Sequence, residues 1–235
     1  MEYSSIRVVT RGDDAGLCHT ANIAIRDAVE HGILRNVSVM APAPAFDEAA
    51  EIFSALQGVT CGLHVDLTAE WEHLRWGPVL SADRVPSLVD AQGFFFQSGE
   101  NLMNRGAKLE HMQAEVRAQL NKAREAGLHI QYLDEHMGVG WINDLGEWLG
   151  EFCEQQGLIC NRTLFQHGKL QGLPRSENGD TPVDKFLLSL HKAESGTYLL
   201  VGHPATMTEE MLAAYLPGQL PGIEARNRDW QRRMF

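Results

Sequence analysis

Ile6-Arg7-Val8-Val9-Thr10-Arg11-Gly12-Asp13-Asp14-Ala15-Gly16 is the stretch whose reading decides the fold. Residues 6–10 are an apolar run of the kind that forms a buried strand. Beyond the glycine, Thr20 is a good N-cap, residues 21–29 carry a helical pattern, and His31-Gly32 suits a helix end. Two adjacent carboxylates, Asp13 and Asp14, therefore stand where a strand runs out into a loop, the end of an α/β sheet at which ligands bind. Neighbouring carboxylates in a pocket repel unless a cation lies beside them. Successive residues at a strand end also point in different directions, so one can hold a metal while the other faces a substrate. A solvated Asp-Asp turn is the other reading, and the rest of the chain decides between them.

The unit repeats. Residues 36–40 read as a second strand, and residues 46–56 as a helix with Phe46, Ala49, Ala50, Phe53 and Leu56 on one face. Residues 59–65 read as a third strand. Three strand-then-helix units in succession predict an α/β fold with a parallel sheet, and chemistry is then expected in the loops after the strands. Residues 69–104 break the rhythm with Trp71, Trp76 and Phe94-Phe95-Phe96, an excursion too long for a plain connection. The alternation resumes with a helix at 109–126, a strand at 130–133, a helix N-capped by Asp144, a short strand at 158–160, a helix at 183–192 and a strand at 198–201. Residues 166–180 read as loop, and helical patterns recur at 209–215 and 223–234. One domain over residues 1–235 is the expected organisation.

Composition narrows the function classes. The chain has 235 residues, ordinary globular content of 44% hydrophobic and 22% charged residues, and a formal net charge of −11. No basic surface for a phosphate backbone is legible, so nucleic acid is not an expected partner. No apolar run is long enough to span a bilayer and no signal pattern is visible at the start, so no membrane partner is expected. Cys18, Cys61, Cys153 and Cys160 form no Cys-x-x-Cys pair and read as reduced core residues of a cytoplasmic protein.

The polar residues after each strand form a set. The first strand delivers Asp13 and Asp14, the third His64 and Asp66, the strand at 130–133 Asp134 and His136, the short strand Asn161 and Arg162, and the last His203-Pro204. In a parallel barrel these would converge on one pocket. Two imidazoles and a carboxylate suit one catalytic divalent ion with open positions, zinc by ligand softness and magnesium as the alternative. Such an ion makes water a nucleophile near neutral pH, a free carboxylate can act as base, and a separate histidine can protonate a leaving group.

Gly12-Asp13-Asp14-Ala15-Gly16, Gly62-Leu63-His64-Val65-Asp66-Leu67-Thr68, Leu133-Asp134-Glu135-His136 and Val201-Gly202-His203-Pro204 resemble the signature of the YdjC-type carbohydrate deacetylase family, which includes chitooligosaccharide deacetylases. Ser87-Leu88-Val89-Asp90-Ala91-Gln92-Gly93-Phe94 resembles its middle segment. The resemblance implies an irregular (β/α) barrel with parallel strands and removal of an acetyl group from an N-acetylated sugar by a metal-activated water. It implies metal ligation by Asp14, His64 and His136, a general base at Asp13, a general acid at His203, and an arginine supporting the base at Arg162. The expected partner is a small carbohydrate, and a homodimer is compatible with the sequence.

The chain departs from the family pattern at Tyr132 and Gly138, where histidines are common, at Ala15, where an aromatic is common, and at Ala205, where a glycine is common. These changes touch the substrate wall rather than the metal set. Asp66 and Asp134 are candidates to orient His64 and His136 through their second ring nitrogens. Trp71 and Trp76 could stack on sugar faces or form the local core of the excursion. A metal-dependent sugar isomerase or lyase on the same barrel is the first competing function, and a non-enzymatic carbohydrate-binding relative is the second.

Overall fold

Parallel pairing is what a strand–helix alternation dictates, and it is what the chain adopts. The computed structural model describes residues 5–174, 176 and 178–235. In order, the elements are β1 (Ile6–Ala15), α1 (His19–Glu30), β2 (Asn36–Val39), α2 (Phe46–Ala55), β3 (Thr60–Val65), α3 (Gly99–Asn104), α4 (Leu109–Glu125), β4 (Ile130–Glu135), α5 (Leu145–Gln156), β5 (Ile159–Cys160), α6 (Asn161–Gln166), β6 (Gln171–Gly172), α7 (Pro182–Lys192), β7 (Gly196–Gly202), α8 (Glu209–Leu212) and α9 (Ile223–Arg232). The strands form one parallel sheet in the order β5-β4-β3-β2-β1-β7-β6. It curls into a half-barrel whose edges, β5 and β6, are only two residues long. The expected α/β architecture is therefore present with the barrel left open on one side. β6 falls within the stretch read as loop, because a two-residue strand has no periodicity to detect.

Local chemistry explains the elements. The stripe expected on α2 is buried at Phe46, Ala49, Ala50 and Phe53, while Leu56 lies just past the helix and packs against the core. Full burial of the Phe46 and Phe53 side chains contributes roughly 1.5–3 kcal/mol each. α1 starts one residue before Thr20, at His19, with Cys18 at the N-cap and no side-chain cap. Its free N–H groups are met from afar, because Glu210 of α8 accepts from the backbone of His19 and Thr20 at 3.2 and 3.1 Å. Gly32 does not adopt a left-handed helix stop. A β-carbon there would collide with the carbonyl of Phe235, which accepts a hydrogen bond from Ile33 at 2.8 Å. Asp144 occupies the N-cap of α5, but with a φ of 61° its side chain makes no cap.

Trp76, Val85, Leu88, Phe95 and Leu102 of the excursion at 69–104 are buried and join the main core. The excursion is tied to α4 by two buried polar side chains. Glu115 accepts from the backbone of Val79 and Leu80, and the Gln119 amide exchanges hydrogen bonds with the backbone of Asp66. That anchoring holds the segment just after β3 against the mouth of the sheet. All four cysteines are free and buried. Among the described residues no helix is long and apolar enough to cross a membrane.

Candidate active site

At the exit of β1 the strand register shifts between Gly12 and Ala15, and Asp14 takes a φ of 65°, left-handed backbone that is costly for a residue with a side chain. A regular strand would send Asp13 and Asp14 to opposite faces. The irregularity instead lets both line one cavity of about 330 Å³ at the strand exits, shared with His64, His136 and His203. Oδ1 of Asp14 lies 3.4 Å from Nε2 of His64 and 3.3 Å from Nδ1 of His136, and the two ring nitrogens are 3.3 Å apart. That oxygen is buried and accepts no hydrogen bond.

Each imidazole is oriented by a carboxylate on its other nitrogen. Asp134, the register partner of His64 across β3 and β4, meets His64 Nδ1 at 3.0 Å. Glu70, from the excursion, meets His136 Nε2 at 2.9 Å. A carboxylate can only accept, so these nitrogens carry protons, and when the rings are neutral the lone pairs of the other two point at Asp14. Burial disfavours charge on His64, but Asp134 and Asp13 outweigh it and push its pKa up to about 10. For His136, burial is likewise outweighed by Glu70 and Asp66. A site that draws protons this strongly is one that draws a cation. The three donor spacings match the edges of a tetrahedron with bonds of about 2.0–2.1 Å. The donor set, its spacing and the orphaned Asp14 oxygen thus fit a divalent ion.

Asp13 is held separately. Arg11 donates to both its oxygens, at 2.6 and 2.8 Å, and Nη1 of the same guanidinium pairs with Asp134 at 2.7 Å. Ser38 donates to Asp134 at 3.0 Å, and the Tyr132 hydroxyl lies 2.9 Å from Ser38 Oγ. Tyr132 fits only because residue 62 is glycine, since a β-carbon there would collide with its ring. Gly138, the other departure near His136, adopts a φ of 62° in the 3-10 segment that follows β4.

The profile of the family described as YdjC-like protein matches residues 7–235. The chain belongs to this family. Among its YdjC-like relatives, the carbohydrate deacetylase of Thermoanaerobacter pseudethanolicus is 25% identical over 87% of this chain and 83% of that protein. The carbohydrate deacetylase of Halalkalibacterium halodurans is 23% identical over 95% of this chain and 96% of that protein. The fold is shared with a crystal structure from Enterococcus faecalis V583, described as a candidate cellobiose-phosphate cleavage protein, with a TM-score of 0.77 at 19% identity over 98% of this chain and 90% of that one.

The remaining candidates of this YdjC-like chain divide between the cavity and its surroundings. His203 lines the cavity. Its backbone N–H donates to Gln231 at 2.8 Å, while its ring makes no hydrogen bond among the described residues. Trp71 also lines the cavity, whereas Trp76 is packed behind it and donates its indole N–H to Asp66 at 2.7 Å. Asp66, engaged by Trp76 and by the backbone of Thr68, orients neither histidine. Arg162 pairs through two nitrogens with Glu135, both at 2.6 Å, so the arginine on Asp13 is Arg11. Arg11, Glu70 and Arg228 lie outside the sequence reading. Only Arg11 carried a signal, since it stands two positions before Asp13 on the same strand face.

Proposed function

We propose that the chain hydrolyses the amide of an N-acetylated sugar and releases acetate. Family membership and the deacetylase relatives support the hydrolase class, and one observation carries the assignment to this site. Three buried donors with set lone pairs converge beside a second carboxylate that they do not use. In this reading Asp14, His64 and His136 hold one divalent ion, zinc by the preference of imidazole ligands. When bound, the ion supplies Lewis acidity toward the acetyl carbonyl and lowers the pKa of water.

The chain's own groups do the rest. Arg11 fixes the orientation of Asp13 but leaves lone pairs on its oxygens, so Asp13 can take the proton of the attacking water. An amine leaves poorly without a proton, and His203, whose ring makes no hydrogen bond among the described residues, supplies it. Glu70 and Asp134 keep the two imidazoles in the tautomers that ligation needs. The cavity of about 330 Å³ falls at the lower end of small-molecule sites, roughly 300–1,000 Å³, which suits one sugar unit at the reacting centre. The four buried free thiols favour the reducing cytoplasm as its compartment.

The test is metal analysis of purified protein combined with acetate release from a panel of N-acetylated mono- and oligosaccharides, before and after chelation and reloading. Acetate release that disappears on chelation and returns with zinc is expected. Fully loaded protein that releases no acetate from any member would overturn the reading.

A further inference from the structure

Helix α9 places an arginine against the candidate metal site from 214 positions away in sequence. Nη2 of Arg228 donates to Oδ2 of Asp14 at 2.7 Å, and both side chains are almost wholly buried. Nε and Nη1 of Arg228 are buried with no hydrogen-bond partner. The guanidinium carbon lies 5.2 Å from the centre of the Trp71 ring, so the charge is held between a carboxylate and an aromatic face. Burial works against ionisation of Asp14, yet Arg228 together with His136 and His64 holds this carboxyl well below its usual range. Burying an arginine with two unpaired nitrogens is costly. Simple packing would be served better by an apolar side chain.

What the contact does to Asp14 is specific. Of the two carboxylate oxygens, Arg228 occupies Oδ2, and Oδ1 is the one facing His64 and His136 without a hydrogen bond. A carboxylate free to turn could offer both oxygens to an ion and fill a position that a catalytic site keeps open for water and substrate. We infer that Arg228 is a positioning residue that restricts Asp14 to a single donor oxygen and so keeps the ion's remaining positions open. α9 is thereby part of the site rather than a cover for it. The same helix also seats the backbone of His203 through Gln231. The inference rests on the reading of Asp14, His64 and His136 as metal ligands.

Cobalt(II) tests it without reference to turnover, because its visible absorption reports coordination number. The wild-type chain, Arg228→Lys, Arg228→Gln and Arg228→Ala are loaded with cobalt, and affinity is measured by competition with a chelator. The expected result for Arg228→Gln and Arg228→Ala is a weaker absorption of higher coordination number. Affinity should also change by about 10–100-fold, as for other residues that orient a ligand. Arg228→Lys, or guanidinium added to Arg228→Ala, should return the spectrum toward wild type. Circular dichroism selects the folded variants, and Arg228→Gln, which nearly keeps the side-chain length, supplies the comparison should Arg228→Ala not fold. Wild-type protein that takes up no cobalt would overturn the metal-site reading beneath the inference. Wild-type protein that binds cobalt, with folded Arg228→Gln or Arg228→Ala of identical spectrum and affinity, would overturn the inference alone.

Discussion

Arg11 grips both oxygens of Asp13, and the same guanidinium reaches Asp134, the carboxylate that orients His64. The candidate base and a candidate metal ligand are therefore tied to one cation. Replacing Arg11 with Met takes the guanidinium from two buried carboxylates and leaves Asp13 without its ion-pair partner, and breaking a buried pair in this way costs about 3–5 kcal/mol. Arg11→Lys keeps the charge but cannot span three oxygens, so it should lose less stability than Arg11→Met while still lowering turnover. Urea denaturation and initial rates on both variants check this. Equal stability of Arg11→Met and wild type would show that the pairings contribute nothing.

Glu70 should matter to the metal rather than to the fold of the sheet. It touches His136 from a segment that otherwise packs on α4. Glu70→Ala frees the imidazole to rotate and to change tautomer, and zinc affinity should fall about 10–100-fold. Asp66→Asn, at a carboxylate that contacts neither ring, should change affinity far less. Chelator competition on the two variants decides the assignment, and a larger loss for Asp66→Asn would reverse it.

Asp13→Asn should retain the ion and lose turnover by about a hundredfold to ten-thousandfold, the usual scale of general-base loss. His203→Ala should retain the ion too, with the greatest rate loss on substrates whose amines leave poorly. Metal content and rate have to come from the same preparation. Fully loaded Asp13→Asn protein with near wild-type rates would remove Asp13 as base.

Gly62→Ala should destabilise the chain by about 1–3 kcal/mol, because the new methyl overlaps the Tyr132 ring. Pairing it with Tyr132→Leu should recover part of that loss in a double-mutant cycle. Additive effects of the two substitutions would show that ring and methyl do not compete for the space.

Much of the architecture was legible because it is encoded over short distances. Apolar runs and helix stripes act within a few positions, so the strand–helix alternation and the parallel sheet follow from them. Once the sheet is parallel, the residues after each strand come to one end, which is why Asp13, Asp14, His64, His136 and His203 could be singled out together. Pairing across the fold was not legible in the same way. That Asp134 serves His64 depends on the β3–β4 register, and that Glu70 serves His136 depends on how the excursion packs on α4. The family resemblance places Arg162 beside Asp13, but the last residue of β4, Glu135, takes it instead.

The sequence by itself determined which residue types stand at the strand exits, since a strand's end and its period are local properties of the chain. Only the tertiary structure decided which charge faces which. Arg11 on Asp134, Glu70 on His136, and Arg228 on Asp14 are ion pairs and hydrogen bonds whose energies depend on distance in space and burial, not on separation along the chain.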